Sequence, residues 1–224
     1  MPRDPHRDQP VLLGGAPTTE AAGALVLLHG RGGSAQDMLA LARELDVGSP
    51  SPEGRGGQGV RTWFVPEAAG RQWYPFSLLE KVERNRPHLN SALSLVKRIM
   101  ERIEAAQIPA ERVVLLGFSQ GASVVLEFAA RNARRYGGLV ALSGALLGPE
   151  GTPRDYAGTL AGTPVFLGSG DSDPHLPKRR VDETATVFEK LGAIVTKRLY
   201  AGLGHAISPE EIGAARDLLG KVAD

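Results

Sequence analysis

Two apolar periods alternate along this chain. Short continuous apolar runs stand at 24–28, 113–116, 138–142 and 164–168. Runs this short, rich in Val and Leu and bounded by glycine or proline, suit strands covered on both faces of a sheet. Residues 60–66 and 194–200 read as further strands, and 11–13 as an edge strand. Between the strands the period lengthens to that of a helix. Met38, Leu39, Ala42 and Leu45 share one helical face, with Ser34 or Asp37 near its start. Leu93, Val96, Ile99, Met100 and Ile103 share another over 90–107, with His88 and Pro87 placed before it. Val124, Val125, Phe128 and Ala129 mark a third from 122 onward, and a fourth covers 181–191. The last helix, 208–222, opens on Ser208 as N-cap with Pro209 at the first helical position.

Strands and helices thus alternate with no internal repeat, which predicts an α/β fold: one mostly parallel central sheet with helices on both faces. The charged, proline-rich residues 1–10 read as a flexible N-terminal arm, and 11–224 as a single domain. Residues 48–59, rich in Gly, Pro and Ser, read as a surface loop.

In sheets of this kind ligands bind beyond the carboxyl ends of the strands. His29-Gly30, Ser119, Asp173 and His205 each follow directly after a predicted strand. The stretch around Ser119 organises the rest. Gly117-Phe118-Ser119-Gln120-Gly121 joins a buried strand to a helix, and Gly-x-Ser-x-Gly at such a junction is a strained turn that holds the serine hydroxyl clear of the backbone. The bland alternative is a helix N-terminal serine beside two loop glycines.

A serine hydroxyl needs a base within hydrogen-bond reach, and the base needs a group to fix its tautomer. Of the five histidines, His6 falls in the arm and His29 in the glycine turn 29–34. His205 is favoured over His175, because Ser, acid, His is the chain order of the α/β-hydrolase arrangement. Asp171 and Asp173 both lie in the right interval. Asp173 precedes Pro174, which biases it toward an extended turn and favours it as the group that orients the histidine, with Asp171 as turn-former; spacing alone leaves the two open, and the bland alternative is that both only cap the turn. The amides of Arg31 and Gln120 are placed to receive an oxyanion. Trp73, Tyr74 and Phe76, large side chains gathered in one loop, read either as the apolar wall of a substrate pocket or as a cluster pinning the loop to the body.

Composition narrows the function. In 224 residues, 42% hydrophobic content supplies a sizeable core. A net charge of +1 suggests neither nucleic acid nor an acidic membrane surface as partner. The absence of cysteine excludes disulfides, a thiol nucleophile and thiolate metal sites. No His/Asp/Glu spacing suggests a metal site, and the glycine turn lacks the Lys-Ser/Thr of a phosphate-binding loop. With no apolar leader and no stretch long enough to span a bilayer, a cytoplasmic protein without stable membrane insertion is expected.

These motifs, together with Leu27-Leu28-His29-Gly30-Arg31-Gly32-Gly33, Val65-Pro66-Glu67-Ala68-Ala69, Trp73-Tyr74-Pro75, Asp171-Ser172-Asp173-Pro174 and Gly204-His205, resemble the phospholipase/carboxylesterase branch of the α/β hydrolases, which includes the acyl-protein thioesterases. The resemblance runs from about Ala24 to the C-terminus. It implies the α/β-hydrolase fold, Ser119 as nucleophile, Asp173 as acid, His205 as base, and Arg31 and Gln120 as oxyanion donors. It also implies a cofactor-independent serine hydrolase for small-molecule carboxylic esters, with thioesters and lysophospholipids within its range. Arg31 stands where those thioesterases place Leu, and Trp73-Tyr74-Pro75-Phe76 looks more like bacterial carboxylesterases of the same branch. A non-catalytic ligand-binding protein on the same fold and an acyltransferase are the alternative readings. A homodimer is compatible with the sequence.

Overall fold

A computed structural model describes residues 4–46 and 61–222; the loop expected at 48–59 lies outside them. Among the described residues, seven strands form one sheet: β1 (Val11–Gly15), β2 (Gly23–Leu28), β3 (Arg61–Pro66), β4 (Val113–Phe118), β5 (Gly138–Leu142), β6 (Pro164–Gly170) and β7 (Ile194–Tyr200). Their spatial order is β1-β3-β2-β4-β5-β6-β7. Only β1 runs antiparallel to its neighbour; every other pairing is parallel. The long helices are α1 (Ala35–Asp46), α2 (Val82–Ala105), α3 (Gln120–Arg131), α4 (Lys178–Lys190) and α5 (Pro209–Lys221).

The period of two along each strand sorts the core into two layers. Ala24, Val26 and Leu28 of β2 pack with α2, α3 and α4, while Leu25 and Leu27 pack with α1 and α5. Both faces of these strands are buried, so continuous apolar runs rather than alternating ones mark β2 and β4. At roughly 1.5–3 kcal/mol for each fully buried aliphatic side chain, these two strands anchor the domain. No helix of the described residues is long and apolar enough to cross a membrane.

Two expectations need correction. The N-terminal segment is not a loose arm over the described residues 4–10. His6 is fully buried, and its main-chain N–H donates to Ser91 Oγ at 2.8 Å on α2. Charge and proline content describe a surface segment, but they carry no information about a single side chain inserted into the body. The second correction concerns α2, which begins at Val82 rather than 90 and so contains Pro87. The proline removes one rung, to the carbonyl of Glu83, on a face where Glu83 and Pro87 are exposed and water can take that carbonyl. The early turn is held instead by buried Asn85, which accepts from Phe76 N–H at 2.9 Å and donates to Ser77 O at 3.1 Å.

Candidate active site

The carboxyl ends of β2, β4, β6 and β7 meet at one edge of the sheet, and every residue singled out above stands there or beside it. Ser119 lies between β4 and α3 with φ 54° and ψ −117°, a conformation a serine adopts only under constraint. The flanking glycines make room for it. A Cβ on Gly117 would stand 2.3 Å from the carbonyl carbon of Gly121, and one on Gly121 would stand 2.1 Å from Leu28 O. The turn therefore closes only without side chains at both positions.

Ser119 Oγ lies 2.7 Å from His205 Nε2, and His205 Nδ1 lies 2.6 Å from Asp173 Oδ2. The carboxylate accepts the Nδ1 proton, which leaves Nε2 as the acceptor facing the serine. Asp173 has no exposed side-chain surface. Its other oxygen accepts the main-chain N–H groups of His175 at 2.8 Å and Leu176 at 3.2 Å. Asp171 does a different job: it accepts from Gly202 N–H at 2.8 Å and from Ser172 Oγ at 2.9 Å, tying the β6 turn to the loop that carries His205. The Gly202 bond, followed by that from Ser172, holds the Asp171 carboxyl below the usual carboxylate range. His175 does not reach the serine. Its ring stands edge-on to His205 with centroids 5.0 Å apart, and Phe118 lies 5.1 Å away from the same imidazole.

Gln120 is the first residue of α3, so its N–H has no partner within the helix. Across the cleft, the N–H groups of Gly32 and Gly33 are taken by Arg71 O and Gly30 O, at 2.8 and 3.1 Å. The side chains of Arg31 and Gln120 both grip one loop. Arg31 donates to Gln72 Oε1, Tyr74 O, Pro75 O and Phe76 O at 2.9–3.3 Å. Gln120 accepts from Trp73 N–H at 3.0 Å and donates to Tyr74 O at 2.8 Å.

A cleft of about 550 Å³ opens over Ser119 and His205, walled by Tyr74, Phe76, Leu78 and Leu79. Burial pushes the Tyr74 phenol above its usual range. Trp73, read from the sequence as a possible pocket wall, is not part of it. The indole is fully buried and donates to His29 O at 2.7 Å, with the His6 and His29 rings 5.4 and 5.0 Å from it. Sequence reasoning missed these two histidines. His29 Nδ1 donates to Gly30 O at 2.7 Å, and Nε2 accepts Ala68 N–H at 3.1 Å. Glu67 caps α1 by accepting Ala35 N–H at 2.7 Å. The Val-Pro-Glu-Ala-Ala stretch thus braces the 29–35 turn and the start of α1 from outside the cleft lining.

A family profile described as Phospholipase/Carboxylesterase matches residues 15–223. The crystal structure of a phospholipase/carboxylesterase from Dyadobacter fermentans is 39% identical over 95% of this chain and 96% of its own, with a TM-score of 0.85. Among curated proteins, acyl-protein thioesterase 1 of Debaryomyces hansenii is 35% identical over 59% of this chain and 57% of its own length, so the match spans little more than half of that relative. Acyl-protein thioesterase 1 of Saccharomyces cerevisiae is 27% identical over 84% of this chain and 87% of its own length. With the sheet order and the strand-end site already in view, the chain belongs to the phospholipase/carboxylesterase family of α/β hydrolases.

Proposed function

We propose that this protein is a serine hydrolase that cleaves small carboxylic esters through an acyl-enzyme on Ser119. The observation that carries the reading is the unbroken line from Asp173 through His205 to Ser119, with both hydrogen bonds at or below 2.7 Å. As Ser119 Oγ attacks the ester carbonyl, His205 Nε2 takes its proton. Asp173 keeps the ring oriented and offsets the imidazolium charge. The negative charge on the former carbonyl oxygen falls to the amides of Arg31 and Gln120. Collapse of the tetrahedral intermediate breaks the C–O bond, and Nε2–H protonates the departing alcohol. Water then repeats the sequence on the acyl-enzyme and restores the serine. Thioesters fit the same steps with a thiol leaving group, the substrate type in the name of the fungal relatives. The apolar wall formed by Phe76, Leu78 and Leu79 favours an aliphatic or aromatic group on one side of the scissile bond.

Hydrolysis of p-nitrophenyl esters of graded chain length tests this. Wild type should turn over, and Ser119→Ala should lose about 10⁴-fold or more in kcat/KM. Equal activity in both proteins would remove Ser119 from the mechanism. Turnover with release of acylated alcohol instead of acid, when an alcohol acceptor is added, would move the protein to acyl transfer.

A further inference from the structure

The peptide of Trp73 is held from both sides. Its N–H donates to Gln120 Oε1 and its indole to His29 O, at 3.0 and 2.7 Å. Its carbonyl receives His6 Nε2 at 3.1 Å. His6 Nδ1 in turn accepts Ala69 N–H at 3.1 Å, so one fully buried ring bridges both ends of the 69–73 turn. That bridge needs the tautomer with the proton on Nε2. The segment carrying the ring is moored to α2: Asp4 meets Ser91 Oγ and lies 3.8 Å from Arg98, and Arg98 donates to the carbonyls of His6 and Arg7 at 3.4 and 3.3 Å.

Residues 29, 31 and 120 thus all bond to the 72–76 loop, and two of them carry the amides assigned above to the oxyanion. We propose that His6 is a positioning residue for the oxyanion hole: the N-terminal segment, through His6, sets the Trp73 loop against Gln120, His29 and Arg31 and so fixes the distance between the two donor amides. The inference rests on the serine-hydrolase reading and extends it to a segment outside the cleft lining. An oxyanion-hole donor acts on the transition state far more than on bound substrate, so a hole whose amides are misplaced slows the chemistry and leaves binding nearly intact.

The test compares wild type, His6→Ala, His6→Gln and Ser119→Ala, with active sites counted by stoichiometric fluorophosphonate labelling so that unfolded protein does not enter kcat. His6→Ala should lose about tenfold or more in kcat per labelled site, with KM within about twofold. His6→Gln, whose carboxamide offers one acceptor and one donor to Ala69 and Trp73, should recover most of that loss. A merely structural role for His6 would lower thermal stability and the labelled fraction while leaving kcat per site unchanged, and that result overturns the proposal. So does a loss confined to KM, or a loss that Gln does not repair. If His6→Ala does not fold, the Ser91→Ala/Arg98→Ala pair loosens the mooring from outside the loop and must reproduce the fall in kcat; unchanged kcat there is equally fatal. Failure of the serine mechanism itself shows separately, as activity retained by Ser119→Ala.

Discussion

The two sides of the cleft are built on different principles. On one side, Ser119 and Asp173 sit in turns shaped largely by their chain neighbours, while His205 is held by Asp173 from 32 positions away. The Ser119 turn closes because glycines two residues away on either side carry no side chain, the second of them against Leu28 O of β2, and Asp173 is held by N–H groups two and three residues on. Strand order then brings these prepared turns together. On the other side, the 69–76 segment that carries Tyr74 and Phe76 of the wall is held largely by distant residues. His6 reaches it across 67 positions, His29 across 44 and Gln120 across 47. A locally built turn can be preserved by a short motif. A wall built at long range depends on the whole domain having folded, and is the side where stability and catalysis are hardest to separate.

Breaking the local side should have the largest effects. Gly121→Ala puts a methyl 2.1 Å from Leu28 O, a main-chain atom of a central strand that cannot step aside. The variant should lose about 3 kcal/mol of stability, read from the urea midpoint, together with its esterase activity. A loss below about 0.5 kcal/mol would show that the turn is not sterically fixed. The two aspartates give a finer cut. Asp173→Ala removes the partner of His205 Nδ1 and should cost roughly 10³–10⁴ in kcat/KM. Asp171→Ala frees Gly202 N–H, Ser172 Oγ and Lys178 but leaves the His205 partner in place, and should cost less than about tenfold. Comparable losses would mean that the two carboxylates share one task.

The long-range side should respond to mild acid instead. Burial, the dominant effect, together with the nearby His88 and His29, holds His6 below the ordinary imidazole value of 6.5, against the opposing pull of the Trp73 carbonyl and Asp4. The released segment therefore binds a proton better than the docked one. The stability that docking contributes is complete above 6.5 and is lost as pH falls below it. Tryptophan fluorescence should report this, because the His6 ring lies against Trp73. Wild type should show an acid transition below 6.5 that His6→Gln lacks. Identical curves would place the titrating group elsewhere.

This division also explains what could be read from residues alone. The buried strands are local patterns, and they form where the apolar runs predict them. Asp171 and Asp173 are two residues apart in similar surroundings, and only the folded loop separates them, Asp173 bonding to His205 and Asp171 to Gly202 N–H. The sequence places the start of α2 too late because Pro87 is a strong local stop sign, while the tie that overrides it runs from Asn85 to the loop at 76–77. Trp73 was ambiguous for the same reason: a large aromatic in a loop can face a ligand or a core, and its partners His6 and His29 lie far away in the chain. Nothing near His6 in sequence signals that its ring is inside.

The grip of Arg31 and Gln120 on the wall falls largely on main-chain atoms: the N–H of Trp73 and the carbonyls of Tyr74, Pro75 and Phe76, with the Gln72 amide as the one side-chain partner. Those bonds are indifferent to which side chains residues 75–79 carry. Phe76, Leu78 and Leu79 can therefore be exchanged by single substitutions, reshaping the cleft, while the clamp that holds the wall in place stays intact.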